Sequence, residues 1–126
     1  MNSNLQGTTR VYLTIYGINP SEVTRRLGIS PRKTGLAGSR LRSGVLTRDL
    51  WEISVASDVE LAVVMDRLLQ RLRPSWGELL EIVESAEEIE MEAAIYNASE
   101  RPSPFLRPDA MAALGALRPQ FQISLY

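Results

Sequence analysis

The sequence predicts an α+β fold, a two-layer sandwich in which a mixed, mostly antiparallel sheet carries its helices on one face. Two patterns predict it. The segments 10–17, 46–56, 87–98 and 120–126 alternate apolar and polar residues with a period of two, as strands with one buried face do. Between them lie segments with apolar residues at helical spacing, bounded by start and stop signals. No strand segment is apolar throughout, which argues against a parallel sheet covered on both faces. A chain of 126 residues fits a single domain and buries enough surface to need no staples.

Residues 1–8 are polar and read as a disordered tail, leaving 9–126 as the one domain. In RVYLTIYG, Val11, Leu13 and Ile15 share one face, and Tyr12, Thr14 and Tyr16 the other. Asn19, Pro20 and Glu22 then form a capping-box start with proline at the first helical position. Val23 and Leu27 give that short helix its apolar stripe, and Gly28 and Pro31 stop it. Residues 30–46 have no sustained period and read as a loop.

The next strand places Trp51, Ile53 and Val55 on one face and Leu50, Glu52 and Ser54 on the other. Ser57 and Glu60 form a second capping box for a helix over 58–72, which Pro74 ends. Trp76, Leu79, Leu80 and Val83 mark a further short helix over 75–84. Ile89, Met91, Ala93 and Ile95 alternate with Glu88, Glu90, Glu92, Ala94 and Tyr96 in the clearest strand. After a turn at SERPSP, PFLRP reads as a short extended piece. Pro108 opens a last helix with Met111, Leu114 and Leu117 as its stripe. Phe121, Ile123 and Leu125 then alternate with Gln120, Gln122, Ser124 and Tyr126. Trp51 and Trp76 read as core anchors.

Composition removes many chemistries. The chain has neither cysteine nor histidine. Disulfides, thiolate metal sites, cysteine nucleophiles and a Ser-His-Asp triad are all excluded. Proton transfer would fall to Asp, Glu, Tyr or the single lysine, Lys33. The heavy preference for arginine over lysine reads as the codon composition of a GC-rich bacterium. The N-terminus has no secretory pattern, and no apolar run is long enough to span a bilayer, so a cytoplasmic protein without membrane partners is expected.

Charge is distributed unevenly. Seven basic residues and no acid lie from Arg25 to Arg48, and seven acids and no base from Glu78 to Glu92. These segments can pair with each other, with a second copy, or with separate partners. Within the basic loop, Arg32, Lys33, Arg40 and Arg42 form a candidate anion-binding set. The loop is no P-loop, because the glycine before Lys33 and the following helix are missing. It also lacks the aromatic platform that single-stranded nucleic acid needs, which argues against a nucleic-acid partner.

Glu88, Glu90 and Glu92 share one strand face, spaced about 7 Å apart. Nothing suggests that they converge with carboxylates from other elements, as a hard metal requires. An open sheet face is expected to be no cleft of the kind glycosidases use. The polar sheet face would therefore be an interaction face formed by Tyr12, Tyr16, Glu88, Glu90, Glu92, Tyr96, Gln122 and Tyr126. No catalytic residue, cofactor or metal site is expected.

Several stretches together resemble a known pattern. The strand ending in Gly17 followed by INPSEVTRRLGISP resembles the opening of the bacterial domain-of-unknown-function family 4279. Trp51 before an acidic residue fits that family's tryptophan strand, and LRPSWGELLEI its helix–proline–short helix segment. FLRPDAMAALGALRPQFQISLY resembles its closing pattern, departing at Gln120 and Gln122, where the family often shows acids. The resemblance covers about residues 9–126 and implies a small bacterial α+β domain with no established activity. It also implies that Leu114-Gly115 lies where the last helix turns into the last strand.

The expectation is a non-enzymatic protein-interaction domain, a homodimer by preference, contacting partners through the open sheet face or the basic 32–48 loop. A sharper form is an immunity-type protein that neutralises a basic toxin through its acidic strand. The rival is a small anionic-ligand binder or enzyme built on the arginine-rich loop.

Overall fold

A computed structural model describes residues 8–101 and 103–126. It has a five-stranded mixed sheet with its main helices packed on one face. The sheet contains β1 (Thr9–Tyr16), β2 (Lys33–Gly35), β5 (Leu50–Ser57), β6 (Glu88–Ile95) and β7 (Gln120–Leu125). Their spatial order is β2-β5-β1-β6-β7. β1 runs antiparallel to both β5 and β6, whereas β7 is parallel to β6. A parallel neighbour needs a crossover, and α4 (Pro108–Leu117) supplies it. The helix layer is α1 (Pro20–Leu27), α2 (Leu61–Leu72), α3 (Trp76–Ser85) and α4. β3 (Arg40–Leu41) and β4 (Gly44–Val45) form a separate small hairpin.

The predicted alternation is what closes the core. Val11, Leu13, Ile15, Trp51, Ile53, Ile89 and Met91 all project from one sheet face. They meet Val23 and Leu27 of α1, Val64, Met65, Leu68 and Leu72 of α2, and Leu79 and Ile82 of α3. Each large side chain so buried stabilises the fold by about 1.5–3 kcal/mol. Trp51 is fully buried, and its indole N–H donates to Thr24 Oγ1 at 3.0 Å. Trp76 is only half-buried at the core's margin.

Several boundaries differ from the sequence expectation. Asn19 does cap α1, accepting from Ser21 N–H at 2.9 Å, and Gly28 closes the helix at φ 68°. Glu22 does not complete a capping box; its carboxylate lies 3.5 Å from Arg26. The second capping box is absent. Ser57 stays in β5, opposite Thr9, so sheet pairing holds the backbone extended and α2 begins at Leu61. Pro74 sits in a 3-10 turn, Arg73–Ser75, that leads directly into α3.

The stripe of α4 is Ala110, Ala113, Leu114 and Leu117, which follows the helical period, whereas Met111 is 60% exposed. α4 runs through Gly115 and is closed by Arg118 at φ 49°, so Leu114-Gly115 is not the turn. Residues 103–107 form no strand. The tail expected over 1–8 falls outside the described residues except for Thr8, whose carbonyl accepts from Tyr96 N–H at 3.0 Å.

Residues 30–46 are not a plain loop. β2 pairs with β5, and β3–β4 forms an arm held by Gly38 N–H to Leu46 O and Leu46 N–H to Ser39 O. Leu46 fills the space above Gly35, next to Leu50, on the face away from the helices. Leu50 is therefore only 4% exposed although it alternates with polar Glu52.

Candidate functional site

The face of the sheet opposite the helices is concave. Three central strands deliver its floor in register: Tyr12 lies between Ser54 and Glu92, Thr14 between Glu52 and Glu90, and Tyr16 between Leu50 and Glu88. β7 adds Gln120 beside Glu90 and Gln122 beside Glu92. Arg32 from the β2 side and the Tyr96–Tyr126 pair at the far end raise the rims. The result is a cleft of about 340 Å³. This corrects the expectation of a surface too open to form a cleft.

Seven of the eight residues expected to form the interaction face line the cleft: Tyr12, Tyr16, Glu90, Glu92, Tyr96, Gln122 and Tyr126. Glu88 lies just outside, on the same strand face. The rings of Tyr96 and Tyr126 stack with centroids 4.8 Å apart. Tyr126 is fixed there by its backbone, donating to Ile95 O and accepting from Ala98 N–H.

Two arginines enter from the basic segment. Arg32 Nη2 lies 3.0 Å from Glu52 Oε2, an ion pair without hydrogen-bond alignment, and its guanidinium sits 5.3 Å from the centre of the Tyr12 ring. Thr14 Oγ1 donates to the other Glu52 oxygen at 3.0 Å. Arg48 Nη1 donates to Glu88 Oε1 at 2.8 Å, and its guanidinium lies 4.1 Å over the Tyr16 ring. This contact holds the Glu88 carboxyl below the usual glutamate range.

Glu90 and Glu92 are treated differently. Glu90 accepts from the Tyr16 hydroxyl at 2.9 Å, and Glu92 from Ser124 Oγ at 2.8 Å. Among the described residues neither has a cationic partner. Burial, then the hydrogen bond to Glu90, push the Tyr16 phenol up to about 12. The lining thus holds three carboxylates, Glu52, Glu90 and Glu92, against the one guanidinium of Arg32, a net charge of −2.

The basic and acidic segments meet within the chain. Arg48 pairs with Glu88, and Arg26 reaches Glu78 at 2.9 Å and Glu81 at 3.2 Å, tying α1 to α3. The expected anion-binding set is dispersed. Arg32 is at the cleft, Lys33 is exposed on β2, Arg40 is exposed on β3 and Arg42 on the β3–β4 turn. Glu52, Thr14, Gln120 and Arg32 also line the cleft, beyond the residues expected to form the interaction face. Alternation with Leu50 and Ser54 already put Glu52 on the polar side, so that signal was present.

Among the described residues no group of acidic side chains is arranged to hold a metal ion, and no helix is long and apolar enough to cross a membrane. No curated protein and no solved structure matches the chain. The family model described as "Domain of unknown function (DUF4279)" matches residues 7–126, and the chain belongs to that family.

Proposed function

We propose that the chain is a non-enzymatic protein-interaction domain of a bacterial cytoplasm, and that its cleft receives a basic side chain of a partner protein. One observation carries this reading: Glu90 and Glu92 are half-buried carboxylates without a counter-ion among the described residues, placed among tyrosine rings. A half-buried charge that lacks an opposite charge is costly, and a guanidinium relieves that cost. The pairs already present support a guanidinium as that group. Arg32 and Arg48 each combine a carboxylate with a tyrosine face, and a partner arginine would repeat that arrangement at Glu90 or Glu92.

Two features favour binding over catalysis. The chain has no histidine or cysteine, and the raised Tyr16 phenol stays protonated as a hydrogen-bond donor at neutral pH. A basic toxin is one partner that fits, with this chain as an immunity-type antagonist. The same unpaired carboxylates favour that version, since an acidic cleft speeds encounter with a basic surface. An anion held by Arg32, Lys33, Arg40 and Arg42 has less support, because Arg32 is paired with Glu52 and the other three do not line the cleft.

The test is an amide-resolved NMR titration with Nα-acetyl-arginine methylamide and, separately, the glutamate analogue. The reading predicts saturable shifts at Tyr12, Tyr16, Glu90 and Glu92 with the arginine compound only, and their loss in the Glu90→Gln, Glu92→Gln variant. Equal shifts with both compounds, or none with arginine, would sink it.

A further inference from the structure

The two edges of the sheet are built differently. β2 is a three-residue edge that carries Lys33 and continues into the β3–β4 arm. Short length and a lysine are devices that keep an edge from pairing. β7 has none of them. It is six residues long, QFQISL, with no charge, proline or glycine, and no other described strand lies beyond it.

The backbone direction of that edge follows from one bond. Tyr126 N–H donates to Ile95 O of β6. Strand residues alternate in the direction of their N–H and C=O groups. Gln122 and Ser124 therefore also face β6, and Phe121, Ile123 and Leu125 present their N–H and C=O groups outward. The side chains of those same three residues lie on the helix side, in register with Met91, Ala93 and Ile95. Phe121 packs partly against the core, but the helix layer leaves the other two poorly covered: Ile123 is 42% and Leu125 60% exposed.

We propose that β7 is the self-association edge of this protein and that its occupant is β7 of a second copy, paired antiparallel about a two-fold axis. The sequence is self-complementary in that arrangement. With the axis at Ile123, Ile123 faces its own copy and Phe121 faces Leu125 of the other chain. All three are the outward-pointing residues, so each facing pair exchanges two hydrogen bonds. The apolar side chains of both strands then cover each other on the helix side. Gln122 faces Ser124 on the cleft side, and no like charges are brought together. A charged partner strand would find nothing on β7 to recognise, whereas a second copy loses nothing. The two five-stranded sheets become one continuous sheet, and both clefts open on the same face. The interface borders the cleft at Gln122, but the outward backbone groups that form it belong to Phe121, Ile123 and Leu125, which do not line the cleft, so either proposal can fail without the other.

The experiment is light-scattering molar mass from low-micromolar to hundreds of micromolar protein, on wild type, Ile123→Pro and Ile123→Lys. Proline at this position removes an outward donor and no bond to β6, so the monomer fold is kept. The lysine variant, which leaves the backbone donor in place and sets two like charges against each other, decides the matter if the proline variant loses its circular-dichroism signal. A wild-type dimer that becomes monomeric at every concentration in a folded variant is the expected result. A wild type that stays monomeric throughout, or a dimer that survives in a folded variant, overturns the proposal.

Discussion

The Tyr16 hydroxyl donates to Glu90 at 2.9 Å across seventy-four residues of sequence, joining the central strand to the acidic one in the floor of the cleft. Burial and this bond keep the phenol protonated, with its titration pushed up to about 12. A raised tyrosine stabilises the fold below the ordinary phenol range near 10. That contribution is lost as pH rises through 10 to 12. Ultraviolet difference titration of wild type and Glu90→Gln checks this, because the variant's Tyr16 should titrate lower. A Tyr16 that titrates with the ordinary tyrosines in wild type contradicts the bond.

Arg48 acts on both neighbours in known directions. It lowers the Glu88 carboxyl and also opposes the rise at Tyr16. Arg48→Met should return Glu88 upward and move Tyr16 higher still, the reverse of Glu90→Gln. The stability contributed by lowering Glu88 is present above the ordinary glutamate range and lost as pH falls through the lowered value. Carboxyl-carbon NMR across that acidic range measures it, and an unchanged Glu88 in the variant would contradict the pairing.

Trp51 depends on a hydroxyl from another element. Its buried indole N–H has Thr24 Oγ1 as acceptor, so Thr24→Val leaves an unpaired buried donor. The expected loss is about 1–3 kcal/mol. Thr24→Ser keeps the oxygen and should cost clearly less. Urea unfolding midpoints separate the two, and equal losses would assign the effect to packing instead.

Gly17 and Gly28 both have positive φ, at 91° and 68°, but in different surroundings. A Cβ on Gly17 would overlap the Glu87 side chain, whereas one on Gly28 meets nothing. Gly28→Ala should cost about 1–2 kcal/mol for the left-handed backbone alone. Gly17→Ala should cost about 2–4 kcal/mol, because the overlap is added. Comparable unfolding midpoints for the two variants would show that Glu87 moves aside freely.

The long strands were legible because alternation over eight residues records which face is buried, and Tyr12, Tyr16, Glu90 and Glu92 were placed on one face by that alone. The arm at 36–48 was not legible, since strands of two residues leave no periodic trace. Arg32 reaches the cleft because its N–H bonds to Glu52 O where β2 pairs with β5, and Arg48 lies beside the cleft over the Tyr16 ring, placements that local pattern does not encode. Ser57 and Glu60 carried a valid helix-start pattern that lost to pairing with Thr9, a contact 48 residues away in sequence. Concavity of the polar face depends on register across several strands and was invisible for the same reason.

Recognition of a basic group by Glu90 and Glu92, as proposed, is open to direct measurement. Calorimetric titration of a short arginine-bearing peptide into wild type and into Glu90→Gln, Glu92→Gln, at low and high salt, tests it most directly. Binding is expected to weaken with salt and to fall at least about tenfold in the variant, a loss of about 1.4 kcal/mol. Equal binding to both proteins, or no binding to wild type at low salt, would contradict it.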